Sequence, residues 1–174
     1  MRALLFRIAR LKIMGTFVGF MFAYFPLLIP VKKVMQNKRA ISFYHPVASY
    51  LEHILIIPRK IRRTVFHLSA DDFLSVVNMA IHIRQTTAGD YSLLINGGNR
   101  QDVMQAHFHL FTGNVADKKG LCKKNGVALS HNKVFWEQII LDLKSSLSQN
   151  NLSDENFSIL IQFEDDAEPL IYYI

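Results

Sequence analysis

Residues 103–111 read VMQAHFHLF, and no other stretch constrains the fold as tightly. Met104, Ala106, Phe108 and Leu110 alternate there with Gln105, His107 and His109. Period-two alternation is the mark of a strand, whose successive side chains point to opposite faces. The apolar face has to be buried against a helix, and the other face then displays an amide and two imidazoles in a row. Just upstream, Asn96-Gly97-Gly98-Asn99-Arg100 reads as a glycine-containing loop able to turn backbone N–H groups toward an anion.

The surrounding pattern predicts an α+β domain. Residues 27–35 and 40–44 read as two strands joined by a Gln36-Asn37-Lys38 turn, and EHILII at 52–57 as a third strand that Pro58 stops. Ser69-Ala70-Asp71-Asp72 is a helix start of the capping-box type, with acids on the first turn where the helix dipole favours them. Phe73, Val76, Val77, Ala80, Ile81 and Ile83 follow at helical spacing, and YSLLI at 91–95 reads as a further strand.

Half of the 174 residues are apolar, enough for one domain with a substantial core, and no low-complexity tract or repeat is present. Charge is unevenly spread. Residues 1–63 hold 12 Lys/Arg against one acid, Glu52, while residues 64–174 hold 8 Lys/Arg against 13 acids. A basic block of this kind meets an anionic surface or a phosphorylated ligand, or is simply solvated. Arg2, Arg7, Arg10 and Lys12 precede an uncharged run at 13–31, which Pro26 and Pro30 interrupt and Gly15 and Gly19 dilute. This makes residues 1–31 a candidate contact with a membrane surface, the alternative being a helix that caps the core or a partner subunit. The single cysteine, Cys122, excludes a disulfide framework and fits a reducing compartment, so a cytoplasmic protein is expected, peripheral to or anchored at a membrane if the N-terminal segment binds lipid. No nucleic-acid-binding module is recognisable.

The His107/His109 pair has three readings. It is two solvated histidines, or half of a metal site for which no third ligand lies close in sequence, or a catalytic pair beside an anion cradle. In the last case a neutral imidazole attacks phosphorus while the second moves a proton near neutral pH.

The stretch QDVMQAHFH at 101–109 resembles the signature strand of the histidine triad (HIT) superfamily, Q-x-V-x-H-x-H-x-H. FYHP at 43–46 and HILIIPRK at 53–60 resemble the family's two earlier blocks, in the same order. The likeness spans residues 27–111. It implies an antiparallel five-stranded sheet with a packed helix, and a homodimer in which two subunits join sheets. It further implies a nucleotide phosphoanhydride or phosphoramidate hydrolase, or a nucleotidyl transferase, that needs no metal or other cofactor. By the same likeness His107 is the nucleophile that becomes nucleotidylated, His109 contacts the phosphate, and His53 supports the site from the middle strand. Asn96 lies near the scissile phosphate and Gln101 beside the leaving group, while Gly97, Gly98 and Arg100 are placed to stabilise charge on the phosphoryl oxygens. Gln105 departs from the pattern, standing where the first triad histidine is usual; an amide orients a neighbour but carries no titrating proton. Pro46 stands near the usual ribose-binding acid, and Ile61 follows PRK where another histidine is frequent. These departures keep a second class of function in play, a non-catalytic nucleotide-binding or membrane-sited interaction protein that retains the pocket.

The sequence divides accordingly into a basic, apolar helical segment (1–26), the HIT-like domain (27–111) and an extension (112–174). In the extension, residues 112–129 read as a mobile lysine-rich loop, 133–147 as a core-facing helix, and 157–163 with 169–174 as a hairpin around Glu164-Asp165-Asp166.

Overall fold

The computed structural model describes residues 31–45, 52–86, 90–98, 101, 103, 105–112, 122–124, 156–163 and 170–173, with scattered helical positions at 17–25 and 137–145. β1 (Lys33–Gln36), β2 (Ala40–Tyr44) and β3 (Ile54–Pro58) are followed by α1 (Ala70–Gln85), β4 (Tyr91–Gly98) and β5 (Phe108–Thr112). β6 (Cys122–Lys124), β7 (Asn156–Phe163) and β8 (Leu170–Tyr173) complete a single sheet. Its order is β1-β2-β3-β5-β4-β7-β8-β6, with every neighbouring pair antiparallel.

Local chemistry places the early elements as the sequence predicts. The Asn37 side-chain oxygen accepts the N–H groups of Arg39 and Ala40, which closes the β1–β2 turn. At the start of α1 the Ser69 hydroxyl accepts the Asp72 N–H and donates to the Asp72 carboxylate. Asp72 is buried, yet Arg39 at 2.8 Å and Lys60 at 3.4 Å tie it to the turn before β2 and the exit of β3. Burial opposes its ionisation, but the bonds from Ser69 and Arg39 hold its pKa below the ordinary value.

The register sorts the sheet into two faces. Ile54, Leu110 and Leu93 lie opposite one another, as do Ile56, Phe108 and Ile95. These side chains meet Phe73, Val76, Val77, Ala80 and Ile83 of α1 in the main core, where the Phe73 and Phe108 rings stand 5.9 Å apart. The opposite face carries Leu55, His109 and Leu94 in one cross-strand row, so the histidines lie on the side away from α1.

Three sequence readings change. Gly97 and Gly98 belong to β4 instead of a loop, because β7 pairs with that strand along its full length from Tyr91↔Phe163 to Gly98↔Asn156. The ring of Phe157 lies on Gly97 so closely that a Cβ there would collide with it. The strand expected over 103–111 begins only at Phe108, since the Ala106 N–H is turned to the Arg62 carbonyl at 2.6 Å. Within the lysine-rich segment, Cys122–Lys124 pairs with β8 as a strand.

The five strands β1-β2-β3-β5-β4 form the expected sheet, and the C-terminal hairpin continues it. β4 is closed by the chain's own β7, and among the described residues the strands at the two ends of the order are β1 and β6. Most of residues 1–31, together with Asn99, Arg100 and Trp136, lie outside the described residues. Among the described residues no helix is long and apolar enough to cross a membrane.

Candidate active site

Four imidazoles gather on the face away from α1. His107 sits just before β5 and His109 within it, with ring centroids 4.9 Å apart in an edge-on arrangement. His53 precedes β3, and its Nε2 lies 2.9 Å from His109 Nδ1. His45 follows β2 and stacks on His53, centroids 4.1 Å apart and planes within 5°. His53 and His107 are buried, whereas His45 and His109 are half-buried at the mouth of the cluster.

The backbone fixes the state of His107. Its Nδ1 lies 2.7 Å from the Gln105 carbonyl oxygen. A carbonyl can only accept, so Nδ1 carries the proton, and in the neutral ring the lone pair stands on Nε2. The same carbonyl accepts from Gln101 Nε2, also at 2.7 Å, which holds the orienting oxygen in place.

Both glutamines do less at the substrate than the sequence suggests. Gln105 Nε2 donates to the carbonyls of Pro58 and Lys60 at 3.2 and 3.1 Å, and its oxygen accepts the Arg62 N–H. Its amide therefore clamps the segment leaving β3 instead of joining the imidazole row. Gln101 Nε2 faces the carbonyls of Arg63, Val103 and Gln105, so its donors are engaged with backbone and not with a leaving group.

Asn96 lies in β4 opposite Ser158 of β7, whose hydroxyl donates to Asn96 Oδ1 at 2.7 Å. That bond turns the amide so that Nδ2 remains as its donor end. Ser158 was invisible to sequence reasoning, being 62 positions away in a segment with no assigned task. His45 did leave a signal. Tyr44 pairs with Ile54, so the next step of the β2–β3 ladder sets His45 opposite His53, and the His45 N–H does donate to the His53 carbonyl at 2.8 Å.

Burial, then the neighbouring His45 and His107, push the His53 pKa down from 6.5 to about 3. The folded value lies below the unfolded one, so the native state favours the neutral ring. Its contribution to stability is complete above pH 6.5 and is lost as pH falls toward 3. Between pH 7.5 and 4.5 the wild-type chain is expected to lose about 2–3 kcal/mol more unfolding free energy than His53→Asn in urea titrations. Equal losses in the two proteins would show that His53 is not held neutral.

The model of the HIT domain matches residues 27–115. The chain belongs to the HIT family. Two HIT-like proteins of Helicobacter pylori, both uncharacterized, are 27% identical to it over 90 residues, covering 49% of this chain and 86% of theirs. A HIT family hydrolase from Legionella pneumophila is 25% identical with a TM-score of 0.46, covering 55% of this chain and 90% of that one. Yeast Ap4A phosphorylase, solved with Ap4A, is only 9% identical but has a TM-score of 0.59 over 89% of this chain and 63% of its own. That last likeness is one of fold, and its extent takes in most of the chain beyond the HIT domain.

Proposed function

We propose that this HIT protein is a nucleotide phosphoanhydride or phosphoramidate hydrolase, or a nucleotidyl transferase, acting through a nucleotidyl-His107 intermediate. The observation that carries the reading is the 2.7 Å contact of His107 Nδ1 with the Gln105 carbonyl, which leaves Nε2 as the nucleophile. Nε2 attacks the α-phosphorus, an N–P bond forms, and the P–O or P–N bond to the leaving group breaks. In the arrangement in which a protonated His109 donates its Nδ1–H to His53 Nε2, His109 gives its second proton, on Nε2, to the departing oxygen or nitrogen and is left neutral. Water or another acceptor then attacks phosphorus and passes its proton to the now neutral His109 Nε2, the N–P bond breaks, and the nucleotide leaves with the His107 lone pair restored. Asn96 Nδ2, its partner oxygen held by Ser158, is positioned to donate to a phosphoryl oxygen.

A second reading, nucleotide binding without turnover, is favoured by Gln105, whose amide is spent on backbone groups and offers no proton. Incubation of the full chain with adenosine 5′-phosphoramidate or a dinucleoside polyphosphate separates the two. The enzyme reading expects product and, after an acid-free denaturing quench, a mass increase of one nucleotidyl group. Saturable nucleotide binding with neither product nor adduct would instead establish the binding protein.

A further inference from the structure

His45, His53 and His109 come from three neighbouring strands, yet one ring nitrogen from each lies within 4.8 Å of the other two. The ladder produces this convergence. His45 stands opposite His53 one step beyond the β2–β3 pair Tyr44↔Ile54, and His109 stands opposite Leu55, two residues from His53 on the same face. Among the described residues no carboxylate shares the cluster. The nearest acid in sequence, Glu52, accepts the Tyr91 hydroxyl at 2.6 Å.

We propose that His45, His53 and His109 form a three-histidine binding site for a borderline transition cation of the Zn²⁺ class. A set of neutral nitrogen donors suits Zn²⁺, Co²⁺ or Ni²⁺ and not Mg²⁺ or Ca²⁺, which take oxygen ligands. Three protein donors leave one of four tetrahedral positions open, the arrangement of reactive rather than purely structural zinc sites. With metal–nitrogen bonds of about 2.0–2.1 Å, tetrahedral donors stand roughly 3.3 Å apart. His53 Nε2 and His109 Nδ1 at 2.9 Å are already near that spacing, and a cation would replace the proton they share. His45, half-buried at the mouth and stacked on His53, reaches the third position by turning its ring.

The site shares His53 and His109 with the nucleotidyl-transfer reading but does not rest on it. It does not use His107, and metal binding is measured without turnover. The full chain, prepared without a polyhistidine tag and stripped with chelator, is titrated with Zn²⁺ against a fluorescent chelator, and separately with Co²⁺ while the visible spectrum is recorded. The expected result is one equivalent of Zn²⁺ per chain and a Co²⁺ ligand-field band of four-coordinate intensity. His45→Ala should weaken Zn²⁺ binding at least about tenfold and remove the band. The exposed histidines serve as controls, and His67→Ala and His82→Ala should bind as the parent does. If His45→Ala fails to fold, as judged by circular dichroism, His109→Asn takes its place with the same expected loss. Less than about a tenth of an equivalent of bound Zn²⁺, or undiminished binding by the folded variant, would reduce the cluster to a hydrogen-bonded imidazole network and overturn the proposal.

Discussion

His107→Ala should retain less than about a thousandth of the parent's kcat on adenosine 5′-phosphoramidate, and no nucleotidylated protein should form. On the proposed mechanism the loss should fall on kcat, with KM changed little, because Asn96 and His109 are untouched by the substitution. Collapse of the fold is not expected. The ring's Nδ1 bonds the Gln105 carbonyl, and that oxygen keeps the bond from Gln101 Nε2 when the imidazole is removed. The truncation leaves that carbonyl bonded, and its volume effect falls on the face away from α1 instead of in the core against it. Single-turnover kinetics with a denaturing quench, run beside urea melts, would separate the chemical effect from a stability effect. Turnover within tenfold of the parent in a folded His107→Ala would remove this residue from the nucleophile's role, and a mass adduct persisting in that variant would place the intermediate elsewhere.

The parts of this molecule legible in the sequence are those fixed by short-range pattern. The Asn37 turn, the Ser69 cap and the apolar stripe of α1 are each decided within a few residues, and all three form as expected. The face assignment of His107 and His109 was legible for the same reason, since a residue's side of a strand depends only on its parity. What could not be read needed a partner far along the chain. Gly97 and Gly98 carry the local signature of a turn, and only the pairing with β7 and the ring of Phe157 make them strand residues. Gln105 fits the alternation by parity, but its side chain folds back onto the carbonyls of Pro58 and Lys60 because that segment returns beside it, 47 and 45 positions away in sequence. The clustering of imidazoles was hidden for the converse reason. No further histidine lies close to the His107/His109 pair in sequence, whereas His53 and His45 come to His109 across the sheet.

Gln105 tests whether the departure from the family pattern is a defect or a structural commitment. Both Nε2 hydrogens and the side-chain oxygen are engaged, with the carbonyls of Pro58 and Lys60 and the Arg62 N–H. Gln105→Leu keeps most of the volume but removes all three partners. Pro58 is buried, so its carbonyl is left without compensation, whereas the backbone at Lys60 and Arg62 lies in exposed residues where water can substitute. The expected cost is about 2–3 kcal/mol in urea denaturation, most of it from the one dry carbonyl and the buried amide's lost packing. Gln105→His restores the family's triad in name. A neutral imidazole has one donor and one acceptor in fixed opposition and cannot span three backbone groups. This variant should therefore lose about 1–2 kcal/mol, and kcat should not rise, because the side chain at this position bonds the backbone of the segment after β3. Fast turnover gained without a stability penalty would contradict this account. It would mean that the amide occupies a vacant catalytic position and that the clamp on residues 58–62 is incidental.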